Sequence, residues 1–79
     1  MKHPNNIHAA AAAAYKALLA CNADGWTRAS TDAYNRAYDA LVAFRDASYE
    51  ARLAAGVRDC DAWFFATRDL NEAWEAARR

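Results

Sequence analysis

Two histidines and two cysteines are the side chains of this chain best suited to metal binding or nucleophilic chemistry, and their spacing serves neither. His3 and His8 stand five residues apart, Cys21 and Cys60 stand alone, and no pair has the ligand spacing of a zinc or calcium motif. Neither cysteine has a histidine within its own helical turn, and nothing matches a nucleophile elbow or a phosphate-binding loop. A chain of 79 residues also leaves little room for an enclosed pocket. These residues point away from an enzyme, and no metal, cofactor or small-molecule substrate is expected.

Two surface features remain. Asp32, Asp39 and Asp46 repeat every seven residues, with Glu50 one turn further on. On a helix this spacing draws a line of carboxylates at about 10.5 Å intervals, partly neutralised by Arg36. Such a line is ordinarily a solvated face, yet it can also meet a lysine- and arginine-rich groove that normally holds nucleic-acid phosphates. The second feature is the run Trp63, Phe64 and Phe65. A helix turns about 100° per residue, so all three cannot enter one core. With Trp63 taken as the core direction, Phe65 falls among Asp61, Arg68 and Glu72 and is expected to be exposed. The alternative is that Phe65 folds over the stems of Arg58 and Arg68, or that Phe64 is buried and Phe65 half covered. Aromatic residues flanked by arginine are enriched at interface hot spots. The candidate partner-binding residues are therefore Phe64, Phe65 and Arg68 on one surface, and Asp32, Arg36, Asp39, Asp46 and Glu50 on the other.

The elements that must position these residues are delimited by two glycines. Gly25 and Gly56 divide the chain into three segments, each patterned as a helix, over about 5–22, 28–55 and 60–78. Pro4, Asn5 and Asn6 suit the first turn and cap of the first helix, whose buried stripe is expected to be Ile7, Ala11, Ala14, Leu18 and Cys21, with Tyr15 and Leu19 beside it. The second helix has Thr27, Ser30 or Thr31 as its candidate cap. It places Tyr34, Ala37, Tyr38, Leu41, Phe44 and Ser48 on one side, and Asp32, Arg36, Asp39, Ala43, Asp46 and Glu50 on the other. Arg45 and Arg52 lie on or beside the apolar side, where they are expected to snorkel or to pair with acids of another helix. The third helix is expected to be capped by Asp59 or Asp61 and to bury Trp63, Ala66, Leu70, Ala73, Trp74 and Ala77. Neither strand alternation nor hairpin signals appear. The pattern predicts one domain over 1–79, all-α, an up-down-up three-helix bundle with a long middle helix.

That topology places Cys21 and Cys60 at opposite ends of a middle helix about 37 Å long, too far apart for an intramolecular disulfide. Two cysteines are also too few for the framework of a small secreted domain, so a reducing cytoplasm is expected. Leu18-Leu19-Ala20-Cys21 resembles the lipobox of a lipoprotein signal peptide, but Lys16 interrupts the apolar run such a signal needs. No stretch approaches the length of a membrane span.

Ten basic and ten acidic residues cancel, which argues against a general binder of nucleic-acid phosphates. Helix-turn-helix recognition is disfavoured too: the second helix is too long, and the third balances Asp61, Asp69, Glu72 and Glu75 against Arg58, Arg68, Arg78 and Arg79. A small non-enzymatic protein that docks its helical surface on a larger protein or nucleoprotein complex fits best, and the small side chains of Ala9, Ala12 and Ala13 offer a face that a further helix could approach closely. In size and helical character the chain resembles compact phage-encoded inhibitors of bacterial defence, including helical anti-CRISPR proteins. The resemblance rests on general character rather than on a motif, and no site residue is carried over from it. It implies steric block of a nucleic-acid-binding surface inside a bacterial host. The alternatives are a helical homodimer that buries Phe65 and apolar surface beside Trp74, and a DNA-binding regulator.

Overall fold

The computed structural model describes residues 6–79, and among them only helices are formed. They are α1 (Ile7–Asp24), α2 (Arg28–Ala54) and α3 (Asp59–Arg78), each packed against the other two in a three-helix bundle. Pro4, Asn5 and His3 lie outside the described residues. Helix α1 begins at Ile7, after the extended Asn6 cap, and runs two residues past 22, while the other two helices keep their boundaries to within one residue of expectation.

Local chemistry explains each end. The Asn6 side chain accepts a hydrogen bond from the Ala9 N–H at 2.8 Å and so satisfies one of the orphan donors of the first turn. At the other end of α1, Gly25 takes a left-handed conformation, φ 72°, and the Trp26 N–H returns to the Cys21 carbonyl at 2.9 Å. Trp26 is itself at φ 62°, which is costly for a residue with a Cβ. Its indole N–H donates to Asn22 Oδ1 at 3.2 Å and its ring meets Tyr34 edge-on at 5.9 Å, two contacts that hold it there. Of the three cap candidates for α2, Thr27 caps the helix, its Oγ1 accepting from the Ser30 N–H. Helix α3 departs from expectation: Arg58 occupies the cap position without a side-chain hydrogen bond. Asp59 and Asp61 lie in the first turn, where their charge still suits the helix dipole. There they are engaged elsewhere, Asp59 by the Tyr49 hydroxyl and Asp61 by Arg58 at 3.2 Å.

The core is built from small residues. Ala10, Ala11, Ala14, Ala62, Ala66 and Ala73 are buried, and the largest side chains to be fully buried are Leu41 and Cys21. Alanine at a contact lets helix axes approach closely, so the bulky side chains are pushed to the flanks. This overturns three expectations. Trp63 is 44% exposed and not a core residue, Leu19 is 49% exposed, and Tyr38 lies at the edge with a third of its surface in solvent. The stripe of α3 that faces the core is Ala62, Ala66, Leu70 and Ala73, with Trp74 and Ala77 half-buried beside it. Its direction lies about 60° from Trp63. The flank aromatics pair with one another across helices: Trp74 meets Tyr15 of α1 at 6.0 Å and Tyr38 of α2 at 6.1 Å, both edge-on.

The helices are unequal in length, and they are staggered. Helix α2 has 27 residues and α1 has 18. Ile7 and His8, at the start of α1, share a hollow with Phe44 and Ser48 of α2 and with Asp69 and Glu72 of α3. Below that level, towards the α2–α3 turn, the described fold is a two-helix hairpin. The molecule is accordingly elongated, 45 × 25 × 19 Å.

Candidate protein-docking surface

The shifted core direction rearranges the aromatic run. Phe64 points almost directly away from the bundle and is 62% exposed, and Trp63 stands beside it on the flank towards α2. Phe65 turns to the other flank and is half-buried. The expectation that Phe65 is the exposed member is therefore corrected: Arg52 of α2 lies 5.4 Å from its ring centre and Arg68 of its own helix 4.9 Å, so two guanidinium groups enclose it. The arginine that joins Arg68 is Arg52 rather than Arg58, which instead stands 80% exposed and paired with Asp61.

Trp63 is positioned by α2. The Arg45 guanidinium lies 4.6 Å from the centre of its ring, and Tyr49 meets it edge-on at 5.4 Å. Arg45 in turn donates to Asp46 at 3.1 Å. Tyr49 donates its hydroxyl proton to the Asp59 carboxylate. That bond first, and then some burial with the charges of Asp59 and Glu50, hold the Tyr49 phenol above the ordinary tyrosine range. Burial likewise raises the Tyr34 phenol. Both phenols are thus neutral over the physiological range. Arg52 joins Asp69 at 3.0 Å, the pairing with another helix that its place on α2 suggested.

Phe64, Trp63, Cys60, Thr67, Arg68 and Asn71 line a shallow groove along α3 that is open to solvent. Thr67 contributes an oddity, a buried side-chain oxygen with no hydrogen-bond partner among the described residues. Cys60 is exposed at this end of the molecule, and Cys21 is buried near the other, its thiol donating to the Ser30 carbonyl at 3.1 Å; both are free.

Asp32, Arg36, Asp39, Asp46 and Glu50 are all exposed on the outer side of α2, as their spacing required. Among the described residues no hydrogen bond or ion pair joins an acid of this line directly to the aromatic edge; Arg45 links the two, lying over Trp63 and bonded to Asp46. A third surface went unrecognised in the sequence. Trp26, 48% exposed, meets Tyr34, which in turn meets Tyr38, so that an aromatic row runs from the α1–α2 turn along α2. The available signal was a tryptophan placed directly after the helix-ending Gly25. Among the described residues no helix is long and apolar enough to cross a membrane, and no group of three His, Cys, Asp or Glu is gathered to hold a metal ion. The chain matches no protein-family model, no curated protein and no solved structure.

Proposed function

We propose that this protein is a non-enzymatic protein-binding module that docks on a larger protein through the Trp63–Phe64 edge of α3. The observation that carries the reading is the exposure of two adjacent large aromatics, Phe64 at 62% and Trp63 at 44%, one of them already oriented by Arg45 and Tyr49. An aromatic that is fixed before binding loses little rotamer freedom when a partner covers it, and this favours Trp and arginine-flanked positions as hot spots. Arg68 and Arg58 at the rim would supply polar contacts around that centre.

The partner class is the finer part of the proposal: a bacterial nucleoprotein complex of a defence system, blocked sterically at its nucleic-acid-binding surface. The acidic line supports it. Asp32, Asp39, Asp46 and Glu50 present carboxylates along one helix face to a basic groove, with salt-sensitive attraction. A homodimer formed through the same edge is the second reading, favoured by the contiguous groove beside Phe64. The test uses two folded variants, Phe64→Asp and Asp39→Lys with Asp46→Lys, in affinity capture from bacterial lysate with sedimentation of the free protein alongside. Loss of a captured complex in either variant supports the corresponding surface, and a free protein of twice the chain mass supports the homodimer. Capture unaffected by both variants refutes both surface assignments.

A further inference from the structure

We infer that the α2–α3 end of the molecule, from about Tyr49 through the turn to about Arg68, opens as a unit separate from the three-helix middle, so that the aromatic edge is carried by a region less stable than the core around Leu41 and Leu70. The stagger of the helices is the first reason. Helix α1 begins at the level of Ser48 and Asp69, and beyond it, among the described residues, α2 and α3 pack only on each other. The continuous core of Ala10, Ala11, Leu41, Leu70 and Ala73 belongs to the other part, where three helices meet.

The second reason is what holds this end together. Its fully buried residues are Ala62 and Ala66, which remove little apolar area from water. Its large side chains, Tyr49, Leu53, Trp63, Phe64 and Phe65, are half-buried or exposed. Closure depends on side-chain latches that water reaches: Tyr49 to Asp59, Arg52 to Asp69, and Arg45 over Trp63. Contacts of this kind contribute modestly, and regions with few buried apolar contacts open at free energies below that of global unfolding. Opening separates the latches and uncovers the Ala62–Ala66 stripe with Phe65, while the Leu41–Leu70 contact stays closed.

This inference concerns the free protein and stands whether or not the partner proposed above is correct. Native-state hydrogen exchange on the 79-residue chain, resolved by residue, tests it. Amides hydrogen-bonded within their helices and away from the helix ends are compared: Phe65, Ala66 and Thr67 on one side, Leu41, Val42 and Leu70 on the other. The expected result is protection about tenfold or more lower in the first group. Tyr49→Phe and Arg52→Gln should each speed exchange in the first group several-fold and leave Leu41 and Leu70 unchanged. Equal protection throughout, or acceleration of both groups together by these variants, would overturn the inference.

Discussion

The guanidinium of Arg52 covers the ring of Phe65 from the neighbouring helix, 5.4 Å from its centre, while one of its nitrogens meets Asp69 at 3.0 Å. This arrangement removes from solvent the aromatic that helical periodicity alone leaves outside, and it turns Phe64 into the residue a partner would meet. Both members of the ion pair are about one-third exposed, so solvent screens it. A double-mutant cycle with Arg52→Gln and Asp69→Asn is expected to return a coupling of about 0.5–1 kcal/mol in denaturant unfolding. A coupling of zero would mean that Arg52 acts on Phe65 alone.

Leu41 is the largest fully buried side chain, and the alanines around it have little capacity to collapse into its space. Leu41→Ala should lower unfolding free energy by about 3 kcal/mol. Trp63→Ala, although it deletes a far larger side chain, should cost about 1 kcal/mol because Trp63 is a flank residue that is 44% exposed. The order of these two losses in a chemical denaturation series distinguishes the alanine-lined core from one centred on Trp63.

How much was legible in the sequence can be read from the same residues. Two glycines, Thr27 and the one-sided pattern of α2 were enough to give three helices and the exposed line from Asp32 to Glu50. The rotation of α3 was not legible. Hydrophobic weighting favours Trp63 as the core direction, whereas close packing favours Ala62 and Ala66, because small residues let α3 approach its neighbours and bulky ones cannot. An error of about 60° in that choice is what exchanged the roles of Phe64 and Phe65. The stagger of α1 was equally hidden, since segment lengths are visible in sequence but the register between helices depends on which alanines meet.

Thr67 carries a buried hydroxyl without a partner among the described residues. Thr67→Val keeps the shape and the helix propensity and removes a polar atom from an apolar place, so it should stabilise the protein by about 1 kcal/mol. Thermal or denaturant unfolding measures this directly, and a destabilised variant would show that the hydroxyl has a partner in solution.

Tyr49 gives a pH dependence of defined sign. Its phenol titrates above the ordinary tyrosine value because the neutral form donates to Asp59, so the bond contributes fully below that ordinary value and is lost as pH rises through the raised one. Unfolding of the wild type should therefore show an alkaline loss of stability, with its midpoint above the phenol range of an unfolded chain. Tyr49→Phe should lack that component. Tyrosinate absorbance followed alongside stability checks both.

If the Trp63–Phe64 edge is the docking surface, affinity capture of the protein's partner by wild type and by Phe64→Asp reports it without intermediate steps, with circular dichroism to verify that the variant keeps its helices. Phe64 is 62% exposed, so the substitution should leave the fold intact. A specific complex should be recovered by wild type and reduced at least about tenfold by the variant, as expected for loss of a hot-spot residue. A complex recovered equally by both proteins would contradict docking through this edge.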